Sequence, residues 1–455
     1  MINSEKNFLN YSQENSLDVD GYENQNQHFI AYERRKKRTR DYYCNVDILY
    51  DRASYIRSKG IDNVEKYLKE FETKFTERGG KVIWTVDERE AINAILSIFN
   101  SANAKKVIAT NSGALREISL KQHLGVKCDF LDTAFPDFMK EITANERFDV
   151  TRKNNKEIAQ ALKERYKVEI NYHPNSLTHF IAKQMQSRFF DADIAFTGAN
   201  FLVADIGAIA LSENEGNIAR AVAFPKIHIV VAGYDKIIPS VNDLELLWNM
   251  FALAGTGEPL TAYNHLIFGP KKPYEHDGPE EMYVVIINNQ RDAVLRYRKQ
   301  RKALNCIRCG ACSRYCPVFR TIGKASYQSP YSGPIGSIIV PLMRDTKAYR
   351  YLAYASILSP HPEHHCPVRI PLNNLLLYNR ALFMKEGKLG EFSVKNVIMQ
   401  QSLRFLGNRA ILNSGRIKKS TYLASIIKNQ WGMQRMLPKF AKKSFNETFR
   451  EKASD

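Results

Sequence analysis

Four cysteines fall within eleven residues, Cys306, Cys309, Cys312 and Cys316, and Pro317 follows the last of them. The spacing, C-x2-C-x2-C-x3-C-P, is that of a bacterial-ferredoxin cluster segment. In such segments three thiolates hold three irons of one 4Fe–4S cube, and the fourth cysteine reaches a different cluster. The cube's remaining iron needs a ligand from a distant segment, and Cys366, which precedes Pro367 in a second Cys-Pro pair, supplies one. The expectation is one cluster on Cys306, Cys309, Cys312 and Cys366. Zinc prefers paired knuckles set a dozen or more residues apart, which this run does not resemble. Seven cysteines in 455 residues are too sparse, and odd in number, for a disulfide framework. Cys44 and Cys128 lack cluster spacing and read as plain thiols.

A second group of residues lies near expected strand ends, where open α/β sheets place ligand sites. Gly198, Gly207 and Gly216 would let backbone amides approach an anion, and Asn200 and Asn217 could bond it. Asp205 and Glu215 are candidate acid/base carboxylates, and Lys226 with His228 could hold a carboxylate substrate. The competing reading is that the glycines only turn the chain and Glu215 caps a loop. No G-x-G-x-x-G opens a βαβ unit, so a nicotinamide or flavin dinucleotide finds no fingerprint.

The elements that would position these residues follow from hydrophobic period. Residues 1–70 form an N-terminal arm, weakly ordered or extended to about residue 45, with helical spacing from Val46 through Phe75. Strands at 81–85, 106–110, 128–131, 194–197, 208–211, 227–231 and 283–287 alternate with helices at 87–100, from Asn111 through Leu120, at 177–190 and at 244–254. That alternation predicts a parallel or mostly parallel α/β domain over 71–298. A basic helical lead-in, Arg291 to Lys302, delivers the chain to a ferredoxin-type domain over 299–385. There a loop-rich connection joins Cys316 to Cys366 and a helix spans 372–385. Residues 386–455 form a basic, helical C-terminal extension.

The net charge is +18. It is concentrated around Arg34 to Arg40 and from Arg416 to Lys443, outside any nucleic-acid-binding motif, so a solvated basic face or a dock for an acidic redox partner is expected and nucleic acid is not. No apolar run is long enough to span a membrane and the first thirty residues lack a secretory core, which predicts a cytoplasmic protein.

Several motifs in order then carry a resemblance. The run from Thr197 to Gly207, the turn Asn214 to Asn217, the run Pro225 to His228, and Gly269-Pro270-Lys271 leading into Asp277 to Glu281 resemble the lactate-utilisation (LUD) domain family. With Cys306 to Cys312 and Gly333 to Gly336 behind them, the order is similar to the iron–sulfur members of that family, lactate utilization protein B, over about residues 45–385. The stretch Leu437 to Phe445 is similar to their tail. The resemblance implies an α/β fold like the ribose-5-phosphate isomerase (NagB/RpiA) and CoA-transferase group, followed by the ferredoxin-type domain. It implies an iron–sulfur subunit of a complex oxidising L-lactate to pyruvate, without a nicotinamide cofactor. The implied partners are a cysteine-rich subunit and a second LUD-domain subunit.

The family carries two clusters, with a second cysteine group just before the equivalent of Cys366. Here those positions hold Ser359 and Pro362, neither of which supplies a thiolate. Cys316 is then the orphan ligand of a lost second cluster. His361, His364 and His365 raise the alternative of imidazoles binding some other metal beside Cys316, against the plainer reading of a solvated turn. The competing function is a non-catalytic redox-sensing or structural protein; a stand-alone sugar-phosphate or CoA-ester enzyme is a third.

Overall fold

Two strands with almost no polar residue, β7 (Ile227–Gly233) and β10 (Glu281–Ile287), run side by side in parallel. Runs this apolar suit a sheet covered on both faces. The computed structural model, which describes residues 4–386, 407 and 448–451, places them inside a six-stranded sheet. Its other strands are β1 (Lys81–Thr85), β2 (Lys106–Ala109), β3 (Asp129–Asp132) and β4 (Ile194–Thr197), in the order β1-β10-β7-β4-β2-β3. Every pairing is parallel, as the alternation predicts.

Successive residues of β7 point to opposite faces. Ile229 and Val231 meet Ala91, Ile92, Ile95 and Phe99 of the helix Glu88–Ser101. Val230 and Ala232 meet Phe71 and Phe75 of the helix Val64–Thr76, whose rings stack 5.5 Å apart. Each fully buried Val, Ile or Phe among them contributes about 1.5–3 kcal/mol. The helical stretch expected from Val46 through Phe75 is two helices, Val46–Asp62 and Val64–Thr76, parted at Asn63.

The strand expected at 208–211 belongs to a second sheet. β5 (Phe201–Val203), β6 (Ala208–Glu213), β8 (Ile237–Ile238) and β9 (Tyr263–Ile267) pair in the order β8-β5-β6-β9, with β6 antiparallel to both neighbours. Gly207 closes the β5–β6 turn at φ +54°, where a Cβ would lie 2.6 Å from the Lys74 and Phe75 backbone. A tight hairpin is therefore built where one βα succession was expected.

Residues 4–40 are not extended. They form the helices Ser4–Leu17 and Val19–Arg40. The longer one buries only Gly21, Tyr32, Lys36 and Thr39, too few for a hydrophobic stripe to mark it in the sequence. Polar anchors hold it instead: Tyr32 Oη donates to Ala254 O at 2.8 Å, and Thr39 Oγ1 to Gly257 O at 2.7 Å.

The Cys316–Cys366 connection is also more regular than expected. It contains the helices Pro317–Ile322, Gly333–Met343 and Thr346–Tyr349, and every residue of Gly333–Met343 is buried. Pro334 falls in that helix's first turn, where a missing N–H costs nothing. The lead-in divides into the helix Arg291–Arg296 and a 3-10 turn, Gln300–Asn305, and the last helix, Leu372–Glu386, lies where the period puts it. Among the described residues no helix is long and apolar enough to cross a membrane. The unit Met1–Phe383 holds both sheets and the cysteine segment, while most of the basic C-terminal extension lies outside the described residues.

Candidate iron–sulfur centre

The cysteine loop owes its shape to two residues with positive φ, Arg308 at +62° and Gly310 at +80°. These bends wrap Cys306, Cys309 and Cys312 around one side of a cleft of about 860 Å³, and Cys366 lines the same cleft. Backbone N–H groups point at the sulfurs. Arg308 N lies 3.3 Å from Cys306 Sγ and Ile370 N lies 3.4 Å from Cys366 Sγ; Ala311 N–H serves Cys309 and Ile335 N–H serves Cys312. Donors of this kind surround cluster sulfurs and help set their potential. Burial pushes the Cys309 thiol up to about 11 and Cys366 to about 12, with the neighbouring thiols adding to it. Cys312 is raised for the same reasons. Three neighbouring thiols raised in this way, Cys309, Cys312 and Cys366, call for a bound positive charge if they are to ionise, which an iron core would bring. Among the described residues no three His, Cys, Asp or Glu side chains are set to hold a metal ion. What joins the four thiols is the cleft that all of them line.

Cys316 stands apart. It is 2% exposed, its Sγ accepts from Phe319 N at 3.5 Å at the start of the helix Pro317–Ile322, and the cleft does not include it. Nor do the histidines join it. His361 and His364 lie on the short helix His361–His364. The His365 ring stacks on Tyr315 at 3.5 Å with its Nδ1 3.2 Å from Lys36 Nζ, and burial and Lys36 hold it down to about 3.

The opposite wall of the cleft is the carboxyl edge of the parallel sheet. Thr110, Asn111 and Ser112 follow β2, Gly198 and Asn200 follow β4, and Gly233 ends β7. The chain reverses direction across the sheet between β2 and β4, the switch point at which open α/β sheets bind ligands. Gln25, His28, Tyr32 and Arg35 of the helix Val19–Arg40 close the cleft from above the cysteines.

Comparison with known proteins decides the kinship. The LUD domain family matches residues 68–287, and the 4Fe–4S dicluster domain family matches residues 302–370. Lactate utilization protein B of Bacillus velezensis is 35% identical over 74% of this chain and 72% of its own length. The chain belongs to the lactate utilization protein B family. The same-named protein of Shouchella clausii is 35% identical over 73% of this chain and 71% of its own. The uncharacterized electron transport protein YkgF of Escherichia coli is 35% identical over 74% and 72%. A solved structure, a DUF162 family protein from Deinococcus radiodurans, is similar at 15% identity over 50% of this chain and 98% of its own, with a TM-score of 0.29.

Of the α/β residues singled out in the sequence, Gly198 and Asn200 line the cleft of this LUD–ferredoxin chain. The remainder face elsewhere. Asp205 accepts from Val241 N at 3.0 Å, at the start of the 3-10 turn Val241–Asp243 that Ser240 caps. Glu215 takes Phe135 N at 3.3 Å, its carboxyl raised by desolvation. Gly216 is the left-handed cap of the helix Asn217–Ala223, and Asn217 donates to Thr133 Oγ1 at 3.0 Å. Lys226 is exposed just before β7. His228, the second residue of β7, lies at the amino end of the strand, fully buried, its Nε2 2.8 Å from Thr197 Oγ1 and burial holding it down to about 3.

Residues the sequence reading passed over sit there instead. Lys236, Arg291 and Arg308 line the cleft. Burial lowers Lys236 to about 8. Burial alone would raise the Asp235 carboxyl, but Arg291 and Arg308 hold it well below the usual range. Proximity to strand ends was the available signal for Asn111 and Ser112. Nothing local marked Lys236 or Arg291, because a crossover brings them in.

Proposed function

We propose that this chain is the iron–sulfur electron-transfer subunit of a complex that oxidises L-lactate to pyruvate, with one 4Fe–4S cluster held by Cys306, Cys309, Cys312 and Cys366. A bound cluster of this type takes up and releases one electron at a time. The observation that carries the reading is the separation of the five cysteines: four thiols share one cleft, and Cys316 caps a helix beside it. Ser359 and Pro362 leave that fifth thiol without companions for a second cluster. Kinship with proteins named for lactate utilization, and with one named for electron transport, supports the same role. The partners in this reading are a cysteine-rich subunit and a second LUD-domain subunit, and the setting is the cytoplasm, where thiols stay reduced.

Protein purified without oxygen is to be assayed for iron and acid-labile sulfide. About four irons per chain are expected, and about eight would overturn the single-cluster assignment. With the partner subunits and an artificial acceptor, L-lactate should turn over only when this chain is present. Cys309→Ser should abolish turnover while the complex still assembles; loss of assembly instead would favour a sensing or structural role.

A further inference from the structure

We propose that the cleft binds a small monocarboxylate on this chain itself, held by Arg308 and Lys236 directly beside the cluster loop. The proposal rests on the function given above and adds where the acid or its product is gripped. Both terminal nitrogens of the Arg308 guanidinium are buried and make no hydrogen bond. The nearest carboxylate oxygen, Asp235 Oδ2, is 3.8 Å away, beyond hydrogen-bond reach. The other Asp235 oxygen, Oδ1, is already taken by Arg291 Nε at 2.5 Å.

The guanidinium is nevertheless held in place. It lies over the Tyr331 ring at 4.1 Å from the centroid, and its backbone adopts φ +62°, a conformation costly for a side-chain-bearing residue. Stacking holds a fork without hydrogen bonds at a cleft it lines, and a planar fork is the donor that matches a carboxylate.

Lys236 lines the cleft as well, one residue beyond Asp235. Arg35, Arg116, Arg320 and Lys324 add positive charge to the lining, and its carboxylate is Asp149. Such a field concentrates small anions. One guanidinium without a hydrogen bond beside one ammonium suits a single carboxylate. The apolar neighbours Ile307 and Ile335 suit a short aliphatic acid rather than a sugar.

The cations could instead serve only to balance the cluster's own negative charge, and the test separates the two roles. Full-length protein, purified without oxygen and counted for iron, is titrated calorimetrically with L-lactate, pyruvate, the uncharged analogue lactamide, and inorganic phosphate. Binding of L-lactate or pyruvate is expected, with none by lactamide. Arg308→Gln and Lys236→Gln should each weaken it on the order of tenfold or more, with partial rescue by Arg308→Lys and the iron count unchanged. Carboxylate binding absent from iron-replete protein, equal in wild type and Lys236→Gln, or outcompeted by phosphate would overturn the proposal. Should Arg308→Gln shed iron, Lys236→Gln alone decides: weakened binding at full iron supports the site, and unchanged binding overturns it. Wild-type protein without iron would strike the cluster reading rather than this one, and the iron count tells the two failures apart.

Discussion

Arg291 sets its two terminal guanidinium nitrogens 2.8 Å from the two carboxylate oxygens of Glu117, and both side chains are 2% exposed. The pair is the centre of a buried network. Glu117 also accepts from Asn289 Nδ2 at 2.7 Å and from Tyr331 Oη, while Arg291 Nε reaches Asp235. Tyr331 carries Arg308 on its ring, so one ion pair connects the α/β sheet to the cysteine loop. Replacing only Glu117, as in Glu117→Ala, leaves a buried cation half paired and should cost about 3–5 kcal/mol. Thermal unfolding without oxygen measures it.

Acid should act on the same network, with the sign fixed by the direction of its shifts. Burial would raise the Glu117 and Asp235 carboxyls, but the guanidiniums beside them win and hold both below their ordinary values. A carboxyl with a depressed folded pKa adds stability above its unfolded value, about 4, and that stability is lost as the pH falls through the folded value. Stability should therefore fall below about pH 4, and less steeply in Glu117→Gln, which has no proton to gain there. Denaturant midpoints of the two proteins across the acid range compare the slopes; parallel slopes would exclude Glu117 as the titrating group.

Gly233 sits where β7 hands the chain to this network. A Cβ there would lie 2.3 Å from Asp235 Oδ1 and 2.4 Å from Arg291 Nε, both fully committed atoms. Gly233→Ala should displace the Arg291–Asp235 contact and destabilise by about 1–3 kcal/mol, the usual cost of overpacking. Gly113→Ala is the milder comparison, because its Cβ would meet one Tyr331 ring carbon at 3.1 Å rather than two charged atoms closer than 2.5 Å. Equal midpoints for the two variants would refute the distinction.

The sheet was legible because buried parallel strands spell themselves out: β1 and β4 fall where their apolar runs stand in the sequence. The cysteine run was legible because cluster spacing is local chemistry, and Cys366, which lines the same cleft, was singled out through its proline. The helix Val19–Arg40 was not, since hydrogen bonds from Tyr32 and Thr39 replace the apolar stripe by which helices are read. The second sheet was hidden by short strands, β8 having only Ile237 and Ile238. Arg308 was in plain view between two cysteines, yet its unpaired guanidinium depends on Tyr331 and Asp235, which no spacing rule connects to it.

The five clustered cysteines should separate cleanly by substitution. Cys316 Sγ accepts from the backbone N–H groups of Phe319 and Val318 at a helix start, where a serine hydroxyl caps at least as well. Cys316→Ser should therefore keep the iron content and absorbance of the parent. Cys366→Ser removes the ligand that the three-cysteine loop cannot replace from its own sequence, and should lose at least one iron of about four or the whole cluster. Iron counting and electron paramagnetic resonance of the reduced proteins read the outcome. Loss of iron in Cys316→Ser with retention in Cys366→Ser would exchange the two roles, and would place the fourth ligand on the helix rather than beyond the connection.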